Sequence, residues 1–303
     1  MRVLITGGLG FVGRALTKLL LDHGHEVVVI DNLSTALVSP TWFAGRSQFD
    51  ADIADVRDVE APTGRIDRIV HLAGPVGAFH ILDRPRLEAE ILGLARHVTN
   101  WAVNMRVPLL FLSTLEAEDT LVRPQAPRNT FIRAKRRAEM EIAFTLSRAS
   151  LPYWVLRSCT IAGPGQSSAA GFAVPRMMEQ AQTGRPITVF GDGHRSHELL
   201  HVDDVARAVE ISLFSPAGTY VARGMHTRVI DLAQRIKSVT ASRSEIAYLN
   251  PRRAVHPLYR EPIEDLQVFS PSVPGWAPKE SMDRILSDAI VLSRRCERRR
   301  SVS

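Results

Sequence analysis

The stretch "TGGLGFVG", residues 6–13, decides the fold. It follows a short apolar run, "RVLIT" (2–6), and opens a helical pattern over 11–23. Two glycine spacings overlap in it: Gly8-x-Gly10-x-x-Gly13 and Gly7-x-x-Gly10-x-x-Gly13. Glycines permit a tight strand-to-helix turn and let backbone N–H groups approach a pyrophosphate, which the helix dipole then favours. The flanking strand and helix are the context that this pattern needs to carry meaning. Gly7, Gly10, Phe11, Val12 and Gly13 are therefore candidate cofactor contacts. A second apolar run, "EVVVI" (26–30), ends in Asp31-Asn32. A carboxylate at that point accepts hydrogen bonds from both ribose hydroxyls and repels a 2′-phosphate, so NAD is expected rather than NADP.

Outward from this motif, strand-like runs alternate with helical patterns. The runs are 2–6, 26–30, 68–73, 108–113 and 153–158, with helices expected at 11–23, 86–104 and 131–149. Short runs rich in branched apolar residues suit strands buried on both faces, and strand–helix alternation predicts a doubly wound parallel α/β sheet of Rossmann type. After "GPGQSSAAG" (163–171) the texture changes. A helix is expected near 174–183, a strand at 187–190, an extended run over 197–201, a helix from Val202 and a last helix over 279–293. The chain thus divides into an NAD-binding domain, 1–165, and a smaller α/β substrate domain, 166–303, with some C-terminal segments packing back on the first.

Bulk properties exclude several classes. An apolar fraction of 45% with 23% charged residues is that of a globular protein. No run approaches the roughly 18 to 20 apolar residues of a membrane span, and "MRVLIT" enters the glycine turn without a leader pattern. Cys159 and Cys296 are too few for a disulfide framework, so a reducing cytoplasm is expected. The formal charge of +6 is concentrated in "SRRCERRRSVS" (293–303), which reads as a solvated terminus; a polyanion-binding arm is the rival reading. Lysine occurs only at 18, 135, 237 and 279, so a lysine in a designated position carries weight.

The motifs run in a familiar order. "TGGLGFVG", "VIDNLS" (29–34), "ADIAD" (51–55), "VHLAG" (70–74), "FLSTLE" (111–116), "KRRAE" (135–139), "LRSCTIAGPGQ" (156–166), "VPRMMEQA" (174–181), "VFGDG" (189–193) and "LLHVDDVARAV" (199–209) each fall where a family motif would. The chain resembles the extended short-chain dehydrogenase/reductases that act as NAD-dependent nucleotide-sugar epimerases and dehydratases. By that resemblance Asp52 and Ile53 flank the adenine, and Leu72, Ala73 and Gly74 line the cofactor's path. A homodimer and a UDP-sugar substrate are implied.

In that family hydride leaves a sugar carbon, usually C4, while a tyrosinate takes the hydroxyl proton. A lysine four residues on lowers the tyrosine's pKa and binds the nicotinamide ribose, the i, i+4 spacing putting both on one helix face. Lys135 matches the lysine, Thr114 the sugar-binding Ser/Thr, and Glu116 the glutamate of members that eliminate water or carbon dioxide. "PRNTFIRAKRRAE" (127–139) is most similar to UDP-glucuronate decarboxylases, yet the tyrosine position holds Phe131. The substrate half departs further. Glu118-Asp119 replaces Tyr-Gly, Thr160 an asparagine, Ala162 a tyrosine, His197-Glu198 an Arg-Asp pair, and Val221-Ala222-Arg223 a glycine-bearing segment. Thr160, Arg176 and Arg195 remain as implied substrate contacts. Three readings follow: an engineered Tyr→Phe change, against which the other departures count; an enzyme with another base, Glu116 ahead of His201; or a member that kept only nucleotide binding.

No metal is expected. His194, His197 and His201 lie along an extended segment, where side chains do not converge. His71 reads as a core or cofactor-edge histidine and Cys159 as an unreactive buried thiol.

Overall fold

In β1 (Arg2–Thr6), Val3 and Ile5 point into one apolar core and Leu4 into another, all three fully buried. This is why the run is continuously apolar rather than alternating. The computed structural model describes residues 1–76, 86–118, 127–250 and 268–289. β1 sits between β2 (Glu26–Ile30) and β4 (Arg68–His71), and β3 (Phe49–Asp52) lies outside β2. On the other side follow β5 (Leu109–Thr114), β6 (Tyr153–Ser158) and β10 (Gly218–Ala222). The order β10-β6-β5-β4-β1-β2-β3 is parallel throughout. Strand order reverses beside β1, where open α/β sheets bind ligands.

Helix α1 (Phe11–Asp22) packs with α5 (Val202–Phe214) over one face, joining Leu16, Leu20, Val29 and Val209. Helices α2 (Leu87–Met105) and α3 (Pro127–Arg148) cover the other with Ile91, Val98, Ala138 and Ile142. The third core joins α4 (Ala173–Gln182), β8 (Ile187–Phe190), α6 (Val229–Val239) and helix α7 over 282–289, through Met177, Val189, Ile236 and Ile285. β8 pairs with β12 (Ile246–Leu249), and β9 (Ser196–His201) lies between β7 (Thr160–Ala162) and β11 (Met225–Arg228).

Two boundaries differ from the sequence reading. Helix α3 starts at Pro127, four residues before the apolar pattern does; proline lacks the N–H that a first-turn residue cannot use within the helix. β4 runs only to His71: the Leu72 amide makes the last ladder bond, to the Thr6 carbonyl (3.0 Å), and the Ala73 amide then leaves the ladder for the Thr6 hydroxyl (3.4 Å). The arginine-rich 293–303, Asp119 and the end of the expected last helix lie outside the described residues. Among the described residues, no helix is long and apolar enough to cross a membrane, and no group of three or more His, Cys, Asp or Glu could hold a metal ion.

Candidate active site

The cofactor half is built by backbone approach. Gly7 adopts φ +75°, and a Cβ there would stand 2.8 Å from the Ala73 amide nitrogen. A Cβ on Gly13 would stand 2.0 Å from the Gly7 carbonyl oxygen. The turn therefore presses strand end, loop and helix together more closely than any side chain allows. Gly10 caps α1 without a side-chain bond, and its first turn holds no acidic residue. The amides of Phe11, Val12 and Gly13 thus offer an anion a helix N-terminus without competition. Replacing Gly13 by alanine is expected to raise the Kd for NAD at least tenfold by calorimetry; unchanged affinity would mean that the loop opens at little cost.

Asp31 directly follows β2 and is buried. Its Oδ2 accepts from the Leu9 amide (2.9 Å) and its Oδ1 from the Leu33 amide (2.8 Å). It braces the glycine loop, and each oxygen keeps a further lone pair for a ribose hydroxyl. Asn32 donates to Asp55 (3.1 Å), while Asp52 ends β3 and Ile53 leaves its apolar side chain exposed beside it. These features fit a dinucleotide: a cradle a Cβ would fill, an uncapped helix start and a carboxylate one strand away.

Around the end of β5 the structure gathers Thr114, Glu116, Phe131 and Lys135. Thr114 is the strand's last residue, and its hydroxyl accepts from the Glu116 amide at 3.4 Å. Lys135 reaches from α3 to donate to the Leu112 carbonyl (3.0 Å), its Nζ 4.5 Å from the Phe111 ring and 5.9 Å from the Phe131 ring. Burial pulls this ammonium down to about 8. Nearby, His71 bonds the Thr6 hydroxyl (2.7 Å) and stacks on Phe111, and burial holds it at about 3, hence neutral.

In the substrate half, Thr160 is exposed at the start of β7. Arg176 donates to the Thr188 hydroxyl and lies over Phe190, turned onto β8. Arg195 precedes β9, and its carbonyl accepts from the Val229 amide. His197 and His201 lie on β9, and buried His201 caps α5 by accepting from the Asp203 amide (3.2 Å).

Sequence reasoning noted the substrate-half departures singly; the structure pairs them. Glu198 accepts from Arg223 (Nε, 3.0 Å) and the Gly224 amide (3.3 Å), with His226 at 3.1 Å. Beside them, burial and then Glu198 push the Cys159 thiol up to about 12. Glu118 joins Arg157 at 2.6 Å, and Arg157 also donates to Glu139 (3.0 and 2.5 Å). Burial pushes the Glu118 carboxyl up, but Ser270, Arg157 and the Phe269 amide outweigh it and hold it below its ordinary value.

The sequence pattern described as the NAD dependent epimerase/dehydratase family matches residues 3–221. UDP-glucuronic acid decarboxylase 1 of Danio rerio is 30% identical over 307 residues, covering 95% of this chain and 72% of that protein. The UDP-glucose 4-epimerase of Thermotoga maritima, solved with UDP-glucose, superposes with a TM-score of 0.80 at 23% identity, over 98% of this chain and all of that one. The Thermus thermophilus UDP-glucose 4-epimerase, solved with NAD, gives 0.76 at 23% identity over 97% and 99%. The chain belongs to the NAD-dependent epimerase/dehydratase family, and NAD is the cofactor its glycine cradle and Asp31 fit.

Proposed function

We propose that the chain modifies a UDP-sugar by NAD-dependent oxidation at C4, with Glu116 taking the proton that tyrosine takes in relatives. The supporting observation is the grouping of Thr114, Glu116 and Lys135 at the end of β5, on the sheet edge that also carries the glycine cradle. NAD, when bound, supplies the hydride acceptor. Thr114 then hydrogen-bonds the C4 oxygen, the Glu116 carboxylate accepts its proton, and Lys135 holds the nicotinamide ribose. With UDP-glucuronate the C4 ketone is β to the carboxylate, so carbon dioxide leaves readily. That substrate is favoured because the Danio rerio relative is a UDP-glucuronic acid decarboxylase. In this reading residues 1–165 serve the cofactor and 166–303 the sugar nucleotide, with Thr160, Arg176 and Arg195 on its side. Met140 and Phe144, 61% and 66% exposed on α3, support a homodimer through that helix. A reducing, cytoplasmic setting suits the scarcity of cysteine.

Phe131 favours a second reading, a member that binds NAD and a nucleotide sugar without turnover. The test is product formation by mass spectrometry from UDP-glucuronate and NAD, with Glu116→Gln in parallel. The proposal expects product from the native chain and a loss of at least tenfold in the variant, at unchanged NAD affinity. A trace rate identical in both removes Glu116 from the chemistry, and no product from either favours the binding role.

A further inference from the structure

The turn that carries Glu116 is anchored by a second carboxylate. Residues Leu115–Glu118 form a single 3₁₀ turn directly after Thr114. Its last residue, Glu118, turns inward, and its side chain is only 4% exposed. Oε1 accepts from Arg157 (2.6 Å) and Oε2 from the Phe269 amide (3.3 Å). Arg157, beside Ser113 in the sheet, is itself buried and donates to Ser270 (3.3 Å) and, through two nitrogens, to Glu139. Glu139 lies one helical turn beyond Lys135 on α3 and also accepts from Arg136 (3.1 Å). One guanidinium therefore connects the helix of Lys135, the strand end of Thr114, the turn of Glu116 and the segment at 269–270. Buried Arg157 faces two buried carboxylates, and the second positive charge comes from Arg136, whose side chain reaches in from the surface, so the network fixes geometry with every carboxylate partnered.

We infer that Glu118 is a positioning residue: the length of its side chain sets where Thr114 and Glu116 stand relative to Lys135, and so how the sugar is held. This rests on the UDP-sugar reading above. Relatives are expected to carry tyrosine here, so the anchor is particular to this chain's version of the site. A clamp of this kind acts through reach more than charge, because a shift of about 1 Å in a reacting group is costly.

Two variants separate reach from charge. Glu118→Gln keeps the length but loses the charge and, with its oxygen toward Arg157, the acceptor for the Phe269 amide; Glu118→Asp keeps the charge and both acceptors and is one methylene shorter. With NAD saturating, Kd is measured by calorimetry for UDP-glucuronate and for UDP, and amide exchange is followed over 113–118. Glu118→Gln is expected to bind UDP-glucuronate within threefold of the native chain. Glu118→Asp should bind it about tenfold more weakly, with UDP and NAD affinity unchanged and faster exchange over 113–118. The reverse order would make the role electrostatic and overturn the inference, as would equal weakening of UDP and UDP-glucuronate. If the native chain binds UDP but not UDP-glucuronate, the substrate reading fails by itself. Exchange in the NAD complex then decides: faster only in Glu118→Asp supports the anchor, and no difference among the three overturns it.

Discussion

In the Glu116→Gln background, Phe131→Tyr is expected to raise turnover of UDP-glucuronate by about 10²–10⁴-fold, the usual contribution of a positioned general base. The ring at 131 is half-buried on α3, its centroid 5.9 Å from the Lys135 ammonium. A hydroxyl added to it would enter the field of a positive charge, which favours the phenolate against the opposing effect of burial. Thr114 already ends the strand beneath, so tyrosine would complete the arrangement that the family resemblance implies, without rebuilding it. The assay is product by mass spectrometry at saturating NAD, with and without Phe131→Tyr in the native and Glu116→Gln backgrounds. A rate unchanged by the hydroxyl in the Glu116→Gln background would mean that the sugar no longer reaches this end of β5, and that the substrate half has been rebuilt for another ligand. In the native background the gain should be well under tenfold, because Glu116 already takes the proton and a second base is redundant.

The departures in the substrate half bear on the same question. Glu118, on the turn after β5, meets Arg157 on β6, and Glu198 on β9 meets Arg223, which lies between β10 and β11. A site losing its function would accumulate changes with no mutual regard; here two are joined to charged partners at hydrogen-bond distance. The sequence made each departure visible and none of the partnerships, because 39 residues separate the first pair and 25 the second. The same holds for Asp204. Its place in the first turn of α5 suggests a helix-dipole role, yet its oxygens accept from the Lys279 and Glu280 amides (3.0 and 3.1 Å), a contact across 75 residues. By contrast, the glycine cradle, Asp31 and the Phe131–Lys135 spacing were legible because the turn and the helix repeat place them from local sequence alone. Between these extremes stands α3, whose heptad-scale apolar pattern located the helix while the proline that begins it lay outside that pattern.

Removing the amine of Lys135 should separate stability from function. Its folded pKa of about 8 lies below the ordinary 10.5, with burial the main cause and Glu139 opposing it. A base depressed in the folded state costs stability wherever it is charged there. Below about pH 8 the cost is complete, and 1.36 kcal/mol per unit puts it at roughly 3 kcal/mol. Between about 8 and 10.5 the unfolded chain holds a proton that the folded chain has released, so stability rises with pH; above 10.5 the cost is gone. Methionine keeps the length and removes the charge, giving up the bond to the Leu112 carbonyl, worth about 1 kcal/mol. Lys135→Met is therefore expected to be about 2 kcal/mol more stable than the native chain at pH 7 without NAD, a rise in Tm of roughly 3–6 °C. The advantage should shrink through pH 8–10.5 and end as a small deficit. NAD affinity and turnover should both fall, turnover by about 100-fold or more, if Lys135 holds the nicotinamide ribose as proposed. Thermal scans of both proteins across pH 6–10.5 provide the measurement. A difference in Tm independent of pH would show that the amine titrates normally, and a less stable variant at pH 7 would show that the charge is stabilising. The first result would place Lys135 in water rather than in the dry end of β5, and the second would show that Glu139 and the Leu112 carbonyl outweigh its burial.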